Sequence, residues 1–499
     1  MNDSDIWSDD ETEEAPVPMQ SLPELPDFDF PDDELSVYAP PVVAPLTAVP
    51  VPPPSHPKRG CWFKGLVLLL VVSLLASSIA SLLWLVDRAQ DDTAVVPPTV
   101  NLLINPGRIA YINQNGQVVT VDPDGENGRL LTDSRSLYQF PAWSPDGQTV
   151  AAIGEGAIFL LPDAASGEPV SLYADDERSP FYLYWSPDGR LLSFLTNDAE
   201  NGIGLRVVAL DNPQTDRLLA TGSPFYWNWS GDSQQILIHT GLTGAEARLA
   251  LLNTAEAAAA EEVAAPGFFQ APGISADGRF WAYAEDLGDA TSWLVVTEQA
   301  SSGRWQERHS GMVAMGWSPV GAKLAFTNGA QERSVTFWGP LRLFDAETGE
   351  TRLLSGNTTL GFFWSPDGRY LATINTGDTN EDFGTNAADA GNGRRPALAK
   401  PNAQAPAHQF NLAVINIETG EETQLLSFTP SVLFISQFLP FFDQYALSHR
   451  IWSPNSDAVV LSVLEDGRSR VKVIPIDGGP VTDLGRGDMP FWSPGLSNP

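Results

Sequence analysis

Short apolar runs bounded by turn-forming residues recur along most of the chain. They stand at residues 150–153, 191–195, 236–238, 280–283, 324–326, 370–374 and 459–463. Runs this short, with weak alternation, predict strands buried on both faces. A second run follows most of them, at 157–161, 206–210, 249–252, 341–344, 412–417 and 471–476, and tends to end at Asp, Asn or Gly. A third, weaker run carries the pairs Leu218-Leu219, Leu353-Leu354 and Leu425-Leu426. With the strand that leads into the next unit, each repeat supplies four strands, the content of one propeller blade.

A five-residue signature precedes each first run. Trp-Ser-Pro-Asp-Gly occupies 143–147, 185–189 and 364–368, and degenerate copies begin at Trp229, Ile274, Trp317, Trp452 and Trp492. Most spacings lie between 40 and 47 residues, a repeat period typical of blades. The Trp is a large wedge suited to the space between neighbouring blades. Ser and Asp can bond nearby amides, Pro presets φ, and Gly accepts a positive φ. The motif is therefore read as a structural turn joining the outer strand of one blade to the inner strand of the next.

The chain ends complement each other. Residues 107–113 resemble 368–375 but have no Trp-Ser-Pro before them, while Trp492-Ser493-Pro494 has no strand after it. Ring closure, with the last strand joining the first three, predicts an eight-bladed β-propeller without open sheet edges. Seven blades is the alternative, if a weak copy such as that at Ile274 is not a full blade. The 88-residue gap from Trp364 to Trp452 holds a segment rich in Gly, Ala, Asn, Asp and Pro, read as a mobile insertion over 376–409. Residues 430–447 contain Phe434, Phe438, Leu439, Phe441, Phe442 and Tyr445. This stretch is read as mostly buried in the blade's outer strand and connecting turn, against the alternative of an exposed binding patch.

The 106 residues before the repeats have a different character. Residues 1–57 hold 13 Asp or Glu, 13 Pro and no Lys or Arg, the composition of a disordered tail. Residues 22–38 mix acidic and apolar side chains and suggest either a docking motif for a cytoplasmic partner or a solvated tether. A basic juxtamembrane stretch, 58–64, carries Lys58, Arg59 and Lys64. An uncharged apolar run then spans 65–86, long enough as a helix to cross roughly 30 Å of hydrocarbon, with Trp62 and Trp84 at its ends. It is read as an uncleaved signal-anchor, followed by a stalk over 87–106 and the propeller over 107–499. Cations before the span outnumber those after it, which places the N-terminus in the cytoplasm and the propeller outside. The single cysteine, Cys61, excludes an intramolecular disulfide and is read as an unmodified thiol.

The Trp-Ser-Pro-Asp-Gly turn with its following apolar strand resembles the WD-like propeller repeat family typified by TolB, over roughly residues 107–499. The resemblance implies the propeller fold and admits binding, sensing and peptidase-associated roles. The chain departs from the TolB pattern in having an anchor segment and in lacking a small α/β domain before the propeller.

A net charge of −34 argues against nucleic acid as a partner. No Gly-x-Ser-x-Gly elbow follows the repeats, which counts against a hydrolase domain. The Ser-x-Asp-Gly spacing is not that of a sialidase box. His239, His309, His408 and His449 are scattered, without metal-ligand spacing, although His239 is placed on an inner strand within reach of the channel. Asp122-Pro123-Asp124-Gly125 is read as a β-turn rather than a calcium loop. No catalytic, cofactor or metal residue is assigned, and the ligand-binding residues are left open. The expected function is that of a non-enzymatic, monomeric, membrane-anchored module for binding, scaffolding or sensing, with an extracytoplasmic protein or glycan as partner. The alternative is a hydrolase or lyase acting on an envelope polymer through carboxylates at the channel mouth.

Overall fold

The computed structural model describes residues 107–495, apart from Ser134, 165–166, 199–201, 243–245, 256–259, 288–291, Ser310, 330–335 and 377–408. The predicted tail, basic stretch, span and stalk, with Cys61, lie outside the described residues, as do His408 and nearly all of the predicted insertion. Among the described residues, no helix is long and apolar enough to cross a membrane.

The chain is all-β, in antiparallel sheets. β1 (Ile109–Asn113), β2 (Val118–Val121) and β3 (Arg129–Leu130) are followed by a four-stranded sheet of β4 (Tyr138–Trp143), β5 (Thr149–Gly154), β6 (Ala157–Pro162) and β7 (Val170–Ala174). The next sheet holds β8 (Pro180–Trp185), β9 (Leu191–Asp198), β10 (Gly202–Ala209) and β11 (Asn212–Gly222). Then come β12 (Phe225–Trp229), β13 (Gln235–Thr240), β14 (Arg248–Asn253) and β15 (Glu261–Ala264), and after them β16 (Gly273–Ile274), β17 (Phe280–Asp286), β18 (Ser292–Glu298) and β19 (Arg304–His309).

Two long strands serve two neighbours each. β20 (Val313–Trp317), β21 (Lys323–Asn328) and β22 (Gly339–Asp345) lead to β23 (Glu350–Trp364). The first half of β23 pairs with β22, and its second half pairs with β24 (Tyr370–Thr376), which continues into β25 (Phe410–Asn416) and β26 (Glu422–Phe428). After β27 (Ala458–Glu465) and β28 (Arg468–Pro475), β29 (Thr482–Trp492) does the same: its first half pairs with β28 and its second half with β1, Ile109 opposite Trp492. Thr376, at the end of β24, pairs with Phe410, at the start of β25.

The motif turn corrects one reading from the sequence. It joins the first two strands of one sheet, as Trp143 pairs with Val150, and does not cross from one sheet to the next. The reason is local. The Ser144 amide donates to the Thr149 carbonyl at 2.8 Å, and the Thr149 amide donates back to Ser144 Oγ at 3.0 Å, which closes a tight antiparallel hairpin. Ser144 Oγ also donates to Asp146, whose carboxylate takes the Gln148 amide. Ser186, Ser230, Ser275 and Ser365 repeat the contact with Asp188, Asp232, Asp277 and Asp367. The Ser230 hydroxyl and the Gln234 amide hold the Asp232 carboxyl below its ordinary value. Gly147 has a φ of 68°, and a Cβ there would meet the Pro494 carbonyl at 2.9 Å, so the position requires glycine twice over.

The strands leading into the motifs at Trp143, Trp185, Trp229, Ile274 and Trp317 are thus the first of their sheets, and those into Trp364 and Trp492 are the second halves of the two long shared strands. The apolar runs read as inner are second strands, buried on both faces: β5, β24 and β27 bury nearly every residue. The predicted wedge role of the tryptophans holds. The indole N–H of Trp185 donates to Ala142 in the preceding sheet at 3.0 Å, Trp364 to Gly316 at 2.9 Å, Trp452 to Phe363 at 2.9 Å and Trp143 to Phe491 at 3.1 Å. In each case the acceptor is the carbonyl of the residue just before the neighbouring motif.

Candidate functional site

First strands gather around one centre: β29 adjoins β4, β4 adjoins β8, Tyr182 of β8 meets Trp227 of β12, and β16, β20 and β23 follow β12 in turn. Their edges facing the centre carry backbone groups that need partners. Those partners come from the chain itself. The segment after β26 is helical, with a wide turn at Phe434–Phe438, a tight turn at Leu439–Phe441 and α1 (Phe442–Ser448). Ser431 starts it: its hydroxyl accepts the Phe434 amide and donates to Asp488 at 3.0 Å. The expectation that residues 430–447 are mostly buried holds, but their place in an outer strand does not. Phe434, Phe438, Phe442 and Tyr445 recur at helical spacing, and the stripe they form turns inward to fill the channel.

The apolar contacts surround the segment. Phe442 meets Phe362 at 5.1 Å and Phe337 at 5.2 Å between ring centres, Phe438 stacks on Phe363 at 5.6 Å, and Tyr445 meets Tyr182 at 5.2 Å. The polar contacts fix its register. Gln444 lies against the edge of β12 as a substitute strand: its amide nitrogen donates to the Trp227 carbonyl at 3.0 Å, and its oxygen accepts the Trp227 amide at 2.8 Å. Asp443 accepts the amides of Ala271 and Gln444. The Tyr182 hydroxyl donates to the Gln444 carbonyl, and Ser448 links Tyr182 to His449 Nδ1 at 2.5 and 2.6 Å.

Burial sets the charge states here. It lifts the Asp443 carboxyl to about 6, although the two amides oppose it, and it pushes His449 down to about 3. Asp488 is also raised by burial and is held by Ser431, Ser469 and the Met489 amide. Two positions beside the segment, Phe140 and Met489, have positive φ although neither is glycine. Both lie three residues before a motif tryptophan, in first strands that change register there.

Of the histidines considered from the sequence, His449 reaches the channel. His239 lies on β13, a second strand, and so sits away from the inner edge where it was expected; it meets Gln270 at 3.2 Å and Phe269. His309 donates to the Gly311 carbonyl. Burial brings both down to about 4. Asp122-Pro123-Asp124-Gly125 is a turn, closed from Gly125 to Asp122, and Arg108 and Asn127 take the Asp122 carboxylate. Among the described residues no cluster of His, Cys, Asp or Glu could hold a metal ion. Sequence reasoning missed Asp443 and Gln444; the helical spacing of the aromatic residues around them was the available signal.

The channel is not closed at every level. On the face of the motif turns a pocket of about 520 Å³, its open mouth included, lies among Asn228, Gly273, Ile274, Trp317, Pro319 and Leu447. A second cleft of about 390 Å³, against Phe434, Phe438 and Phe491, is apolar and belongs to the packing of the helical segment.

Sheets whose first strands surround a filled centre define a β-propeller. No family model matches the chain. An uncharacterized protein of Agrobacterium fabrum is 24% identical over 263 residues, which cover 49% of this chain and 87% of that protein. TolB from Acinetobacter baumannii is similar at 16% identity and a TM-score of 0.36, with 78% of this chain and 66% of that one, just under two thirds, covered. The dihydro-heme d1 dehydrogenase NirN, solved in complex with DHE, is similar at 13% identity and a TM-score of 0.50, over 81% of this chain and 79% of that one. These likenesses to solved structures are of fold alone.

Proposed function

We propose that this chain is a membrane-anchored, extracytoplasmic propeller of the TolB-like kind that binds a protein or glycan at one face. In this reading eight blades form the ring, and pairing of β29 with β1 closes it. Residues 65–86 anchor it and residues 1–57 lie in the cytoplasm. The observation that carries the binding role is the filled channel. An enzyme working inside a propeller needs room there for substrate. Here aromatic side chains occupy that room, and Asp443 and Gln444 are committed to backbone groups of Ala271 and Trp227. What remains accessible is the face of the motif turns, where rims and mouths offer binding surface.

The test uses full-length protein in its native membrane. A photo-crosslinker at Leu447, beside the open mouth, is expected to capture a defined protein or glycan. Failure to capture any partner, together with turnover of an envelope polymer by the purified chain, overturns the reading. Topology is checked with a membrane-impermeant thiol reagent. Cys61 should be protected in intact cells, and a Leu447→Cys substitution should be labelled; the reverse pattern inverts the orientation.

A further inference from the structure

Several arginines in the sheets meet a carboxylate: Arg206 meets Asp216, Arg279 meets Glu298 and Glu347, Arg304 meets Glu285, and Arg470 meets Asp483. Arg450 differs. Burial and the Tyr184 hydroxyl are the two influences on its guanidinium, and no carboxylate is among them. Tyr184 in turn is governed by burial and by the Arg450 charge, with no hydrogen bond to its hydroxyl.

The channel segment sets the place of Arg450. It lies two residues past α1, where the helix dipole favours a cation. Its carbonyl accepts the Trp492 amide at 2.7 Å, and its side chain is near enough to Tyr184 for each to act on the other's charge. Trp492 is a motif tryptophan and Tyr184 directly precedes one, so both mark the end of a first strand nearest the turns. Arg450 therefore stands at the mouth on the face of the motif turns, the face on which Leu447 also opens.

This guanidinium is reached by water and yet recessed. Arg450 is exposed and Tyr184 half-buried. Burial nevertheless brings the guanidinium below its ordinary value and pushes the Tyr184 hydroxyl up. A recessed charge costs free energy unless it is paired and hydrogen-bonded. The helix dipole accounts for the sign of the charge, and it leaves the planar fork of N–H donors to be filled. That fork matches the two oxygens of a carboxylate. The surroundings narrow the source. Ala446 and Leu447 give Arg450 an apolar border, which suits a peptide and would leave a sugar's hydroxyls unpaired. The net charge of −34 repels a polyanion, whereas a single carboxylate is drawn by Arg450.

We propose that Arg450 and Tyr184 form a carboxylate subsite at this mouth, which takes an Asp or Glu side chain of a protein partner. The guanidinium donates two parallel bonds to the carboxylate oxygens, and the phenol donates a third. This rests on the binding reading above and narrows its partner to a protein with an acidic residue flanked by apolar ones.

The experiment titrates full-length protein in detergent with the capped peptide acetyl-Leu-Glu-Leu-amide, followed by calorimetry and saturation-transfer NMR. Wild type is expected to bind it, and to bind acetyl-Leu-Gln-Leu-amide at least tenfold more weakly. Arg450→Met keeps the length, removes the charge and is expected to weaken the acidic peptide at least tenfold. Tyr184→Phe removes the third donor and is expected to weaken it several-fold; it carries the test if Arg450→Met misfolds. Absence of binding, equal binding of the glutamine peptide, or equal binding by the folded variants overturns the subsite. Glucuronate or inorganic phosphate bound as tightly as the acidic peptide overturns its assignment to an acidic side chain. A partner still captured at Leu447 in those circumstances overturns the subsite alone, whereas no partner together with polymer turnover overturns the binding reading itself.

Discussion

The repeated sheets and the helical segment in the channel are held by different kinds of interaction. In a sheet, Ser365 and Asp367 close a turn within six residues, and the same chemistry recurs at Ser144, Ser186, Ser230 and Ser275. In the channel, Gln444 bonds Trp227, which lies 217 residues away in sequence. A repeat can lose one contact and keep its neighbours, because each sheet touches mainly the next. The segment has one copy and touches several sheets at once, so each of its contacts is shared by the ring. The largest expected effects of substitution therefore lie in the channel.

Phe442 gives the sharpest break. Its ring is 1% exposed and packs among Phe337, Phe362 and Phe363. Phe442→Ala is expected to cost about 3–5 kcal/mol, read from the shift of the denaturation midpoint. A cost below about 1 kcal/mol would mean that the sheets hold together without their filling.

Asp443 ranks next. Its folded carboxyl titrates near 6, above the 3.8 it has unfolded, so the folded state binds the proton more tightly. Its contribution is present below about pH 4 and lost as pH rises through about 6. The difference corresponds to about 3 kcal/mol at most. Unfolding curves at pH 4.5 and 7.5, for wild type and Asp443→Asn, isolate it from other groups. The variant should lose this part of the pH dependence; an unchanged dependence would place Asp443 in contact with water. Gln444→Ala follows at about 2 kcal/mol, because it strips two buried backbone groups of Trp227 of their partners. Faster hydrogen exchange at the Trp227 amide should accompany it.

These differences explain what could be read from the sequence. The turn chemistry was legible because a Ser, an Asp and a Gly within five residues specify their own bonds. The tryptophan wedge was legible because its size and period agree. Which two strands the turn joins was misassigned, since apolar runs alone do not reveal which strand lies innermost; the hairpin bond from Thr149 to Ser144 decides it. The helical segment was misassigned as strand and turn because its aromatic content overshadowed its spacing of three and four residues. The partners of Asp443 and Gln444 were out of reach, since they are backbone groups brought close only by the assembled ring. His239 was placed on the wrong strand by the same error in strand order.

The smallest effect provides the control for the comparison. Ser365 is fully buried, and its hydroxyl donates to Asp367 at 2.7 Å and accepts the Tyr370 amide at 2.9 Å. Ser365→Ala should cost about 1 kcal/mol, the net value of a turn hydrogen bond with one amide left unpaired. The Ser365 and Tyr370 backbones remain paired through the Ser365 amide and the Tyr370 carbonyl, so the hairpin keeps its register. Exchange should quicken at the Tyr370 amide and stay unchanged at Trp227. If it quickens at Trp227 as well, the turn and the channel form one cooperative unit, and the distinction between replaceable repeats and a singular centre does not hold.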